Sequence, residues 1–184
     1  MKKIILYSFI ALSTLQVSAQ KKIYSTKTGT AFFDAGTGVE NISATNKSTI
    51  SAFDAVSGQI QFSIMVKGFE FWSQLMQDHF NENYMESDKF SKSIFRGKII
   101  NLDKINFLKD GTYPAKVKGI LEIHGVKKEV ETNGQFKVLG ETVIAIAEFE
   151  IVLEDYAITI PSLVKDKISK TARIMVNCSN SILK

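Results

Sequence analysis

Two histidines, one cysteine and scattered serines are what this 184-residue chain offers for a catalytic centre. A zinc held by protein needs three or four converging His, Cys or carboxylate ligands. His79 and His124 fall on different expected elements with no ligand spacing between them, so the sequence carries no metal motif. His79, on an expected helix, is instead a candidate head-group contact, since imidazole can donate or accept a hydrogen bond. Serine nucleophile motifs are missing: there is no Gly-x-Ser-x-Gly, and Ser169 and Lys170 are adjacent rather than a helical turn apart. Cys178 alternates with apolar neighbours and reads as a small buried hydrophobe. As the single cysteine it excludes an intramolecular disulfide and a cysteine-based zinc site. Gly36-Thr37-Gly38 lacks the further glycine and the lysine of a phosphate-cradling loop. Glu148, Glu150, Glu154 and Asp155 cluster in sequence, but Glu148 and Glu150 sit on the outward face of an expected strand, where a solvated surface explains them. No catalytic residue, metal or cofactor is assigned. An enzyme acting on an apolar substrate would have only His79 and Tyr84 as titratable inward groups.

The plentiful chemistry is apolar. Hydrophobic residues make up 45% of the chain, with 13 Phe and 5 Tyr, and the charged fraction is 23% with signs interspersed. Such a chain fills one domain and can bury a sizeable core. The formal net charge is +4, and part of that comes from Lys2 and Lys3. This balance does not describe a nucleic-acid groove. Lys2 and Lys3 open a short basic segment, Ile4 to Leu15 is mostly apolar but too short to span a bilayer, and Val17-Ser18-Ala19 offers small residues for cleavage before Gln20. Residues 1–19 therefore read as a signal peptide and 20–184 as one exported domain without a transmembrane anchor. Export removes ATP and nucleic acid from the list of partners.

The elements that must position these side chains are mainly strands. Period-2 alternation runs through Ile60–Val66, Tyr113–Ile123, Val126–Val138, Val143–Leu153 and Ala172–Cys178. Weaker strands are expected at 22–34, 39–46, 48–56 and 93–102, with turns at Gly36-Thr37-Gly38, Thr45-Asn46-Lys47, Ser57-Gly58, Lys109-Asp110-Gly111, Gly125 and Gly140. Short links between neighbours imply antiparallel pairing, in a meandering barrel or a sandwich. One segment breaks the period: from Glu70 to Asn83 the apolar residues Phe71, Trp72, Leu75, Met76 and Phe80 are spaced for a helix. A second short helix is expected at 161–167, opened by Pro161. Inward aromatics can fill a barrel or line a pocket, and periodicity leaves both open.

Two stretches go further. One runs from Phe69-Glu70-Phe71-Trp72 through Gln77-Asp78-His79-Phe80 and Lys89-Phe90 to Phe95-Arg96-Gly97; the other runs from Asp110-Gly111-Thr112-Tyr113 to Gly119-Ile120-Leu121-Glu122-Ile123-His124-Gly125-Val126-Lys127-Lys128. In order and spacing they resemble the YceI-like family of exported proteins, over nearly all of residues 22–182. The resemblance implies an all-β fold: an eight-stranded antiparallel lipocalin-like barrel, with the inserted helix (about 70–83) covering one end. It also implies a periplasmic binding protein or carrier for a long apolar lipid, a polyisoprenoid or an isoprenoid-quinone-like molecule, held inside. The family often has Arg-Asp before the helical His, where this chain has Gln77-Asp78, and a Pro after the Lys-Phe pair, where it has Ser91. The missing Arg favours a neutral head group over a diphosphate.

On this reading Phe62, Ile64, Phe95, Tyr113, Val117, Leu121, Phe149 and Ile151 line the tunnel, Phe71, Leu75, Met76 and Phe80 face the lipid from the helix, and His79 and Tyr84 are the head-group candidates. The alternative from another class is an exported structural or partner-binding barrel with a filled core, which predicts no sizeable cavity. No pattern marks an oligomer interface, and pairing of two copies stays open.

Overall fold

The computed structural model describes residues 22–183. The signal-peptide reading falls on residues 1–19, outside the described ones. Eight long strands form one closed antiparallel sheet: β1 (Ile23–Gly36), β2 (Ser43–Asp54), β3 (Gln59–Met65), β5 (Lys92–Ile99), β6 (Gly111–Ile123), β7 (Val126–Leu139), β8 (Thr142–Val152) and β9 (Ile168–Ile182). Their order is β1-β9-β8-β7-β6-β5-β3-β2, and β1 pairs with β2 to close the ring. A two-residue strand, β4 (Phe69–Glu70), adds to β2. The expected eight-stranded barrel is the observed one. Closure gives every long strand a partner on both sides, which leaves no strand as a free outer edge along its whole length.

Alternation dictates which side chains enter. Along β8, Val143, Ala145 and Ile151 are buried and Glu148, Glu150 and Val152 are exposed. Two strands need a correction to parity. In β1 the inward set passes from Tyr24 to Ala31 and Phe33, and the register to β2 shifts between Thr26 and Ala31. Gly29 sits at this bulge because a Cβ there would lie 2.3 Å from the Cys178 sulfur. In β2 the expected turn at Thr45-Asn46-Lys47 is not a turn, and the two strands expected at 39–46 and 48–56 are one. The buried Asn46 accepts from Ser48 N–H (2.8 Å) and donates to the Met65 carbonyl (3.0 Å), which produces a kink inside a continuous strand. An Asx turn satisfies the displaced backbone while the ladder to β1 continues on both sides.

The barrel has two unlike halves. At one end Tyr24, Phe53, Phe107 and Phe136 pack ring on ring, with centroids 4.9 Å apart for Phe53–Phe136 and 5.1 Å for Tyr24–Phe53. Ile99, Ile105, Val138 and Val143 complete this plug. Ile105 and Phe107 come from the loop between β5 and β6, whose 3₁₀ turn at Leu102–Lys104 folds it back into the barrel end. Both ends of the described residues lie here as well: Tyr24 pairs with Ile182, and Leu183 N–H donates to the Ile23 carbonyl (2.8 Å).

At the other end the segment between β3 and β5 crosses the barrel. The helix expected over 70–83 divides into α1 (Gln74–His79) and one π turn (Phe80–Tyr84). The Asn81 side chain donates to the Gln77 carbonyl (2.9 Å), and Met85 N–H reaches back to the Phe80 carbonyl (2.9 Å). Local competition for carbonyls thus widens the last turn. The helix expected at 161–167 is a single 3₁₀ turn, Ser162–Val164, preceded by Pro161. No helix among the described residues is long and apolar enough to cross a membrane.

Candidate functional site

Between the plug and α1 the barrel is hollow, with a cavity of about 820 Å³. That volume lies within the range of small-molecule sites, so the filled-core alternative describes only the plugged half. The space exists because several inward positions carry small side chains: Ala31, Ala35, Ala147 and Ala172 line it. Its floor is the pair Phe62 and Phe95, whose rings lie 6.4 Å apart and which pack against the plug on their far side. Gly97, whose added Cβ would meet the Phe95 ring at 2.6 Å, gives that ring room. The roof is a cluster of four phenylalanines. Phe80 stacks on Phe33 at 5.2 Å and meets Phe71 at 5.0 Å and Phe69 at 5.7 Å.

Of the residues expected at the site, Phe62, Ile64, Phe71, Leu75, Met76, Phe80, Phe95, Val117, Leu121, Phe149 and Ile151 all line this cavity, as do His79 and Tyr84. Leu75 does so at the rim and is 64% exposed. Tyr113 is the exception. It packs on the plug and donates its hydroxyl to the Lys109 carbonyl (2.9 Å) at the closed end. Its parity is right, but it lies too far along β6, below Val117.

Alternation alone did not reveal Phe33, Phe69 and Tyr156. Phe33 follows the β1 bulge, and Tyr156 sits on a 3₁₀ turn, Glu154–Tyr156, outside any strand. Tyr156 is buried against the cavity, and burial raises its phenol above the ordinary tyrosine value, with the Asp155 charge adding to it. Burial raises the Tyr84 phenol too. Both hydroxyls therefore stay protonated and able to donate.

Charge around the cavity is sparse and spent. Among the described residues its wall holds the carboxylates of Glu40, Glu129, Glu131, Glu150 and Asp155 and the cations Lys128 and Lys167. Lys128 is paired with Asp155 (2.7 Å) and Lys167 with Glu40 (2.9 Å). Gln77, at the expected place of the family arginine, accepts from Phe71 N–H (3.4 Å).

His124 is not at the cavity. It forms the β6–β7 turn with Gly125, both at positive φ (50° and 75°), as a two-residue hairpin of this hand requires. Its Nδ1 lies 3.1 Å from the Tyr156 carbonyl and its Nε2 2.9 Å from the Glu86 carboxylate. The Phe90 ring packs on the imidazole at 4.6 Å. Cys178 is fully buried, and burial pushes its thiol up to about 12, so it is not a nucleophile.

The model of the YceI-like domain family matches residues 12–179. The chain belongs to the YceI-like family. Among solved structures, a polyisoprenoid-binding domain from Saccharophagus degradans implicated in plant cell wall breakdown superposes with a TM-score of 0.75 at 12% identity, over 89% of this chain and 100% of that one. Burkholderia cenocepacia BcnA gives 0.65 at 14% identity, over 82% and 95%. A Campylobacter jejuni YceI protein gives 0.52 at 16% identity, over 100% and 99%. At these identities the likeness is one of fold. No curated protein sequence matches the chain.

Proposed function

We propose that this YceI-like protein binds one long apolar lipid with an uncharged head group, isoprenoid-like in its chain, and carries or sequesters it in the periplasm after export. The observation that carries the reading is the hollow half-barrel, about 820 Å³, walled by phenylalanine, isoleucine and alanine, with both of its lysines already paired. Each methylene removed from water contributes about 0.8 kcal/mol, so a chain of fifteen carbons gains roughly 12 kcal/mol from burial alone. That is comparable with or larger than the cost of association, about 4–15 kcal/mol, so the site needs only one or two polar contacts. Tyr84, Tyr156 and His79 stand where such contacts are wanted, and two neutral phenols suit a hydroxyl or carbonyl better than a phosphate. With Lys128 and Lys167 each held by a carboxylate, an anionic head group finds little compensation at the described wall. The likeness to a domain that binds polyisoprenoids supports the same chain class. We read the site as one for binding rather than catalysis, in line with the likeness to a domain that binds polyisoprenoids.

Two measurements test this. Protein purified from a native-like host is extracted with organic solvent and the extract is analysed by mass spectrometry. One prenyl or acyl lipid at near-stoichiometric yield is expected, and it should be lost in Phe149→Arg. In vitro, geranylgeraniol and geranylgeranyl diphosphate share one chain and differ in head-group charge. Trp72, the sole tryptophan and part of the cavity rim, reports their binding by fluorescence. The alcohol is expected to bind at least roughly tenfold tighter, which corresponds to about 1.4 kcal/mol. Tighter binding of the diphosphate would refute the uncharged head group, and an empty protein that binds neither would refute the lipid reading.

A further inference from the structure

We propose that the ligand passes in and out sideways, through a slot in the barrel wall between β7 and β8. This rests on the lipid-binding reading above. Two independent features define the slot. First, the β7–β8 ladder is incomplete: it runs only from Leu139↔Thr142 to Gly134↔Ala147. Beyond that point β7 pairs with β6 alone and β8 with β9 alone. Second, the cavity touches Lys128–Thr132 of β7 and, from β8 into the turn that follows it, Phe149–Leu153 without a break. Only alternate residues of a closed strand can face the interior. The neighbouring strands obey this, β6 with Leu121 and Ile123 and β9 with Ala172, Ile174 and Val176. Elsewhere in the barrel wall the longest consecutive run is three, Ala31–Phe33 of β1 and Ser93–Phe95 of β5, so the two runs of five that face each other mark a space passing between their strands.

The slot has definite ends. It begins at the Gly134–Ala147 pair and stops at the Lys128–Asp155 ion pair, which ties β7 to the turn after β8 at 2.7 Å. From Lys128 to Gly134 the strand rises about 20 Å, long enough to admit an extended chain lying flat. The axial way is obstructed, since a ligand passing that end must disperse the Phe33–Phe69–Phe71–Phe80 cluster. Parting β7 from β8 breaks no ladder hydrogen bond there, because none joins them. Once the chain is inside, the edges can close in the register already set, with Glu131 opposite Glu150.

Bridging the slot tests this. In Glu131→Cys/Glu150→Cys the two exposed thiols are joined by a short bis-maleimide; buried Cys178 does not compete. A control bridge joins Lys137→Cys to Ile144→Cys, across the paired part of the same seam. Uptake of geranylgeraniol is followed by stopped-flow Trp72 fluorescence, with near-ultraviolet circular dichroism confirming each fold. Bridging the slot is expected to slow uptake and release together by roughly tenfold or more relative to the same double variant with its thiols capped singly, whereas the control bridge does not slow them relative to its own capped variant. Removing the tie in Asp155→Asn is expected to speed exchange. An unchanged rate in the bridged protein overturns the lateral route while leaving lipid binding intact. Wild-type protein that takes up no geranylgeraniol overturns both.

Discussion

Asp54 shows how much one surface side chain can organise. Its carboxylate accepts from Val56 N–H (2.9 Å), Ser57 Oγ (2.8 Å) and Lys22 N–H (3.3 Å), which ties the β2–β3 turn to the start of β1. The Val56 bond foremost, with the Ser57 and Lys22 bonds, holds the Asp54 carboxyl below the ordinary aspartate value against a smaller opposing effect of burial. A depressed folded value means stability that is present in full above the unfolded value and lost as pH falls through the folded one. The loss of stability in Asp54→Ala is therefore expected to be constant from pH 7 to about 5 and to shrink below about pH 4, as read from urea midpoints. Residue identity was also where the sequence spoke best about the site. Phe62, Ile64, Phe95, Leu121, Phe149 and Ile151 could be placed inward because strand parity is a local property. Tyr113 failed because parity says which face a residue takes and nothing about its height along the barrel.

Among elements, the crossing segment 66–91 depends on tertiary ties more than on its own helix. Six α-helical residues, none of them buried, do not hold a helix by themselves. The Phe80 stack anchors one side, and the other is fastened where Glu86, at φ 41°, meets His124. In His124→Ala both the Glu86 and the Tyr156 contacts go. Faster amide exchange across 74–90 is expected, with little change in the plugged half, and mass-resolved hydrogen exchange would read it. Unchanged protection of 74–90 would show that the phenylalanines alone suffice. The expected helix was legible from its spacing, but its π turn was not, because that depends on Asn81 taking a carbonyl from its own backbone. The kink at Asn46 was misread for a related reason. Thr-Asn-Lys has turn chemistry, and only pairing with β1 on both sides makes it a bulge within one strand.

At the scale of the whole molecule, stability and ligand capacity are separated along one axis. Truncating a plug residue removes ring contacts that cannot be replaced, and Phe136→Ala is expected to cost about 3–5 kcal/mol in denaturant unfolding. Phe149, half-buried against empty space, has fewer neighbours to lose, so Phe149→Ala is expected to cost clearly less while altering the lipid recovered. Equal losses at the two sites would mean that the halves are packed alike. The eight-stranded meander was legible as a whole because short turns leave antiparallel neighbours little choice. Which half is hollow was not, since the deciding residues, Ile105 and Phe107, belong to a loop without periodicity.

Lys22 and Leu183 emerge beside one another where β1 meets β9, at the plugged end. A tether attached to either residue would hold the molecule by its base, like a cup by its foot, with α1 and the β7–β8 opening turned outward. Fusion to a surface, a scaffold or another domain can then be made at both ends of the described chain without standing in the ligand's way.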